Sequence, residues 1–285
     1  MTLNEVTETV QKFYQSKTIA NEKALRGIGN IPMETMEQHV FRTYEHKYGL
    51  RNLAVEHTAT FLRSLLHYSI TDNTILVFLK IFRNELEEDF RFIQSELFTS
   101  IKDLLLMQLI SRNPNKNTNF IQKLLDEKMN AFIYEEEWME ITNYLYNTND
   151  CSTINLLLKN LSIKEREKSG SNTLQIKLNP TTTDNNNRKN QLKLPFQLFL
   201  RTILDFQLQS HLNYLFSFIK IFRQYDTDVD GIITAKDFQD CFIMIRLTPA
   251  EMEQFLSLIV EIDPMQSDRV TFSSAVTCLS KMKPL

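Results

Sequence analysis

The sequence predicts an all-α protein, built as an N-terminal multi-helix domain followed by a C-terminal pair of helix–loop–helix units. Glycine is scarce: Gly27, Gly29, Gly49, Gly170 and Gly231 are the only five in 285 residues. Doubly wound folds and phosphate-cradling loops use glycines at fixed spacings, and none of those spacings occurs. Leu, Lys, Glu, Gln and Met, all good helix formers, are abundant, and prolines number seven. Apolar residues recur three and four apart along most of the chain, the period of a helix with one buried face.

Residues 3–26 read as one or two helices, with Val6, Val10, Phe13 and Tyr14 on one stripe. The segment from Gly27 to Pro32 breaks it, and Gly27-Ile28-Gly29 reads as a turn between helices. Met33, Met36, Val40, Phe41 and Tyr44 form the next stripe, which ends at Gly49, placed as a helix C-cap. Leu53, Ala54, Phe61, Leu62, Leu65 and Leu66 make a third. Thr71-Asp72-Asn73 is a polar stop and a new N-cap. A dense helical pattern runs from Ile75 to about Ser111 with a break inside it, and Asn113-Pro114-Asn115 ends it. Residues 119–131 and 134–146 read as two more helices, the second carrying Trp138, Ile141 and Leu145; residues 153–161 add a short one.

Residues 163–194 differ in composition. Lys, Ser, Asn and Thr dominate, with Thr181-Thr182-Thr183 and Asn185-Asn186-Asn187. Too little apolar surface is present to offset the entropy of ordering, which predicts a flexible linker between a helical domain at 1–162 and a C-terminal domain at 195–285. Pro195 suits a first helical residue. Phe196, Phe199, Leu200, Ile203, Leu204 and Phe206 then predict a helical arm that packs on the C-terminal module.

The richest chemistry lies in Asp226-Thr227-Asp228-Val229-Asp230-Gly231-Ile232-Ile233-Thr234-Ala235-Lys236-Asp237. Acids stand at positions 1, 3, 5 and 12, glycine at 6 and a branched apolar residue at 8. A hard divalent cation needs six to eight oxygens, and a tight loop can turn alternate carboxylates inward. Position 6 requires positive φ, hence Gly231. The candidate ligands are Asp226, Asp228 and Asp230, the Ile232 carbonyl, Thr234 through water, and Asp237. The competing reading is an acidic surface turn.

With these residues the last quarter resembles the calmodulin- and troponin C-like EF-hand superfamily. The resemblance implies a first hand at about 212–246, whose entering helix presents Phe218, Phe222 and Tyr225 and whose exiting helix presents Phe238, Cys241 and Phe242. Leu247-Thr248-Pro249-Ala250-Glu251 is similar to the connection between paired hands, with Thr248 as N-cap, Pro249 at the first helical position and Glu251 completing a capping box. A second hand at about 249–282 has a degraded loop from Asp263 to Ser274: Met265 at position 3, Ser267 at 5, Asp268 at 6 and Ser274 at 12. No metal is expected there. The resemblance implies a short antiparallel bridge between Ile233 and Val270, which makes the second hand a structural partner. Asp237 is shorter than the glutamate usual at position 12, which weakens calcium and makes magnesium a credible occupant. Lys47 to Leu53 and Phe82 to Phe92 also resemble the helical region of ciliary and flagellar EF-hand proteins of protists.

Composition excludes several classes. A net charge of −3 and a pI near 6.0 do not suit a nucleic-acid binder. No apolar run reaches transmembrane length, and the polar N-terminus is no signal peptide. Cys151, Cys241 and Cys278 are odd in number and far apart, which fits a reducing, intracellular compartment. His39, His46, His57 and His67 lack the spacing of a zinc helix, and no serine sits in a nucleophile elbow. The acidic runs Glu85 to Asp89 and Glu135 to Glu137 read as solvated faces or partner contacts. No small-molecule substrate is evident. The expectation is a non-enzymatic calcium-binding adaptor or regulatory subunit of a multi-protein assembly, cytoplasmic or cytoskeletal, with a cilium or axoneme as its setting. The alternatives are a purely structural protein with calcium-insensitive hands, and an enzyme domain regulated by its hands.

Overall fold

The computed structural model describes residues 1–28, 32–170, 192–244, 249–263 and 266–282. Among these, twelve helices and four short strands form the regular structure, so the fold is mostly helical. Helix α1 (Leu3–Leu25) starts at a Thr2–Glu5 capping box and buries Val6, Val10 and Phe13. Helix α2 (Met36–Tyr48) starts at a Thr35–Gln38 box and ends at Gly49, whose φ of +69° closes the helix in the left-handed region. Helices α3 (Arg51–Tyr68) and α4 (Asn73–Phe82) follow, the latter capped by the Asp72 carboxylate. The four pack through an aromatic cluster: the Phe13 ring lies 5.4 Å from that of Phe61, which lies 5.8 Å from that of Phe78.

The break expected after Ile75 falls at Arg83–Asp89, where the chain leaves α4 and enters α5 (Phe90–Arg112). Asn84 turns this connector with φ +54°, a conformation that Asn tolerates better than most residues. Beyond it lie α6 (Thr118–Met129), β1 (Phe132–Tyr134), α7 (Glu135–Leu145), α8 (Thr148–Gly170), β2 (Lys193–Pro195) and α9 (Phe196–Tyr225). The C-terminal part holds β3 (Ile232–Ile233), α10 (Ala235–Met244), α11 (Pro249–Ile262), β4 (Val270–Thr271) and α12 (Phe272–Met282).

The chain divides into two compact units, and the division is not at the expected 162 and 195 boundaries. One unit joins Met1–Ile93 to Ser210–Leu285; the other is Gln94–Gln209. An apolar stripe shows that a helix will be buried without naming its partner, so composition alone drew the boundary in the Asn-rich stretch. Thr181 to Thr183 and Asn185 to Asn187 lie outside the described residues. At the stretch's margins the structure is regular. The short helix expected at 153–161 is α8, which continues to Gly170. Lys193, Leu194 and Pro195 pair antiparallel with Tyr134, Ile133 and Phe132. Pro195 therefore ends a strand rather than starting a helix, and a two-stranded ribbon has the free edges that proline requires.

The arm expected to pack on the C-terminal module belongs to the second unit. Phe196, Phe199, Leu200 and Ile203 share one buried cluster with Trp138, Ile133 and Leu194. Arm and entering helix are one continuous 30-residue helix, α9. The acidic runs are also more buried than charge patterning suggested. Glu137 is paired with Arg112 at 2.7 Å and with Lys128. Glu87 lies 2.6 Å from His211, and Glu88 lies 3.1 Å from Lys17. Lys17 is 1% exposed and also donates to Asn21, whose amide in turn donates to Glu88 at 2.9 Å.

A buried pair is costly to break on one side only, because the remaining charge keeps its desolvation penalty. Lys17→Met is expected to destabilise the protein by about 3–5 kcal/mol. A lower denaturant midpoint at unchanged slope would show it, and Glu88→Leu added to that variant should recover most of the loss.

Candidate metal centre

Two loops face each other at the C-terminal end of the first unit. Ile233 pairs with Val270 and Ile232 with Thr271 in a two-residue antiparallel bridge, and the Phe272 N–H donates to the Gly231 carbonyl at 2.8 Å. Behind the bridge, Phe218, Phe222, Phe238, Phe255 and Phe272 build a buried cluster with Ile233 and Val270. The expected pairing of Ile233 with Val270 is therefore present. Cys241 and Cys278 sit in the same cluster, and burial pushes both thiols up to about 12. Of the expected cap at Thr248 and the position-3 Met265, both lie outside the described residues; Pro249 is the first residue of α11.

The loops follow the same backbone path. Position 4 has positive φ in both, Val229 at +60° and Gln266 at +49°. So does position 6, Gly231 at +78° and Asp268 at +56°. At position 1 an aspartate accepts the N–H of position 6: Asp226 from Gly231 at 3.3 Å, Asp263 from Asp268 at 3.0 Å. Positions 9 and 12 form a helix-capping pair in each, Thr234 with Asp237 and Thr271 with Ser274.

Their chemistry differs. In the first loop, Asp226, Asp228 and Asp230 each bring one carboxylate oxygen to within 4.8 Å of the others. Asp226 is buried, Asp230 half-buried and Asp228 exposed. Burial raises the Asp230 carboxyl above its ordinary value, and the neighbouring Asp228 and Asp226 add to the effect; the Ile232 N–H and Arg269 act against it. Glu37 on α2 is raised too, first by burial and then by Asp230. Three carboxylate oxygens that repel one another across a few ångströms could hold a hard cation. Asp237 is not among them. Its Oδ2 accepts the Thr234 hydroxyl at 2.7 Å, so the expected position-9 and position-12 ligands are turned to each other. Ile232 lies on β3, and its N–H donates to Asp230 Oδ1 at 2.9 Å. In the second loop the Asp263 oxygens accept from Ser267 and Asp268, and Asp268 Oδ1 accepts the Ala235 N–H that starts α10.

Two residues that sequence reasoning passed over complete the site. Arg223, one turn before the loop, places its guanidinium on Asp226 Oδ2 and on the Asn84 carbonyl. The Asn84 side chain lies over Gly231 and donates to the Asp230 carbonyl at 3.1 Å. The polar Arg83-Asn84-Glu85 break was the available signal, but nothing in it names the loop as its partner. A cavity of about 270 Å³ in the same unit is lined in part by Thr18, Glu88, Arg91 and Ser273. Two of its charged groups are engaged within the fold: Glu88 by Lys17 and Asn21, and Arg91 by the Tyr14 carbonyl and the Thr18 hydroxyl. No family model, curated protein or solved structure matches the chain.

A Cβ at residue 231 would stand 2.3 Å from Asn84 Cγ, and φ there is +78°. Gly231→Ala should cost about 1–3 kcal/mol, with part regained on adding Asn84→Ala, measured as a double-mutant cycle by chemical unfolding. A second expectation concerns pH. A carboxyl raised in the folded state favours folding at low pH, and that contribution is lost as pH rises through the raised value. Asp230→Asn keeps the Oδ1 acceptor for Ile232 and removes the repulsion. In chelator it should melt above the wild type at pH 7, and the gap should close below about pH 4.

Proposed function

We propose that this protein binds one divalent cation, calcium by preference with magnesium as an alternative occupant, in the Asp226–Asp237 loop of an EF-hand pair. The observation that carries the reading is the convergence of the Asp226, Asp228 and Asp230 carboxylates in a loop turned at Gly231 and bridged to a second loop of the same shape. Donors made only of oxygen suit calcium or magnesium rather than a thiolate- or imidazole-seeking metal. The residues that hold the ion are these three aspartates, with the Ile232 carbonyl, Thr234 and Asp237 joining once the Thr234–Asp237 pair opens. With six or fewer protein oxygens and a partner loop built on hydrogen bonds, affinity is moderate to weak. In this reading the protein is a non-enzymatic adaptor or regulatory subunit, its helical surfaces docking onto other proteins, with a ciliary or axonemal assembly as the setting that the resemblance of Phe82 to Phe92 suggests.

A second reading is a purely structural protein. The Arg223–Asp226 contact and the Thr234–Asp237 pair favour it, because each engages a loop carboxylate oxygen with a donor from the protein itself. Calcium titration of the 285-residue chain by calorimetry distinguishes the two. The calcium reading expects one site with Kd of about 10 μM or weaker, abolished by Asp226→Ala. No heat up to millimolar calcium would sink it. A calcium-dependent rise in hydrophobic-dye fluorescence would add a sensor role, and its absence would leave the ion a stiffening part.

A further inference from the structure

We infer that Arg223 is an internal competitor for the ion and that displacing it releases the α4–α5 connector through Asn84. The inference rests on the cation reading above and names how that site is regulated. Asp226 Oδ1 accepts the Gly231 N–H and Oδ2 carries the Arg223 guanidinium, so a cation that takes Oδ2 must displace Arg223. The Asp226 side chain has no exposure, and the Arg223 guanidinium is its neutralising partner. Arg223 is held in place from a third side, 5.9 Å over the Phe272 ring. A guanidinium cannot share that oxygen with a divalent ion, because two cations at contact distance repel.

The same guanidinium donates to the Asn84 carbonyl. Asn84 sits at positive φ, a conformation that surrounding contacts must hold. Its other ties to the loop are the Nδ2 bond to the Asp230 carbonyl and the packing on Gly231, both part of the segment that an ion draws inward. The connector continues into Glu87, against His211 on α9, and Glu88, whose N–H donates to the Ser273 hydroxyl of α12 and whose carboxylate meets Lys17 of α1. An ion that expels Arg223 thus removes one of the ties that hold Asn84 against the loop and loosens residues 83–89 at the joint between the N-terminal helices and the paired loops. The two arrangements are Arg223 on Asp226 with the connector held, and the ion on Asp226 with the connector freed.

The test uses the 285-residue chain, Arg223→Gln and Arg223→Lys, titrated with calcium chloride and with magnesium chloride, together with hydrogen exchange of residues 83–89. Losing one charge-assisted bond converts to a gain of roughly tenfold to a hundredfold in affinity for Arg223→Gln. Exchange at 83–89 should speed up when calcium saturates the wild type, and should be fast and calcium-indifferent in Arg223→Gln. Arg223→Lys keeps the charge but not the two-armed reach, so it should bind calcium about as the wild type does while exchanging fast. Binding by Arg223→Gln alone would support the competition in its strongest form. Equal affinities for wild type and Arg223→Gln, or wild-type exchange unchanged at saturating calcium, would overturn the inference while leaving the ion site standing. No binding by any of the three up to millimolar would overturn the cation reading itself. Should Arg223→Gln fail to fold, the wild-type exchange measurement still decides.

Discussion

The contact of Asn84 with Gly231 is the constraint on which the first unit depends. The asparagine amide occupies the space where any other residue at 231 would carry its Cβ. The connector is thereby brought onto the Asp226–Asp237 loop, and the bonds around it become possible: Asn84 to the Asp230 carbonyl, Arg223 to the Asn84 carbonyl, the Glu88 N–H to Ser273 and Thr277 to Asp89. Arg269 adds a link from the second loop to Gln38 of α2 at 3.2 Å. Segments more than a hundred residues apart in sequence join into one compact unit through a polar seam of named donors and acceptors. Polar seams are demanding, since each buried group left unmatched costs more than its bond contributes. They also register two helical layers more narrowly than apolar contact does.

The two loops show how shape and chemistry separate. Both turn with positive φ at positions 4 and 6, both fold an aspartate back onto the position-6 N–H, and both end in a capping pair. The second loop reaches that shape without the alternating acids, since Asp263 is engaged by Ser267 and Asp268 and aspartate can adopt the left-handed conformation that glycine adopts freely. Its contribution is mechanical: Val270 aligns Ile233, and Asp268 caps α10, the helix that follows the first loop. In the first loop burial raises the Asp230 carboxyl, and the crowding of Asp228 and Asp226 adds to it, a strain that the hydrogen-bonded second loop avoids.

The buried charges carry a related lesson. Glu87, Glu88 and Glu137 stand in runs that look like solvated faces, and each is instead buried against a cation or imidazole from another element. His39 is similar: it lies between Glu34 and Ser16, both at 2.7 Å, which satisfies both ring nitrogens within the fold. Such pairs give the interior a polar pattern that is matched in one arrangement of helices, and mismatched alternatives leave charges stranded.

Much of this was legible in local sequence, because its causes are local. The helical period of Val6, Val10 and Phe13, the Asp72 cap, the Gly49 stop and the Asp226, Asp228, Asp230, Gly231 spacing all act within a turn or a loop, where neighbours in the chain are neighbours in space. Only the tertiary structure decided which faces meet. It assigned the Phe196 to Ile203 stripe to the Trp138 core, made Lys193 to Pro195 a strand, carried α8 to Gly170 and set Arg223 and Asn84 on the loop. An apolar stripe carries the free energy of burial but no address, and an asparagine 146 residues from Asp230 carries no trace of its partner. The sequence by itself determined the helices and the loop that can hold an ion; the fold decided what that loop is fastened to.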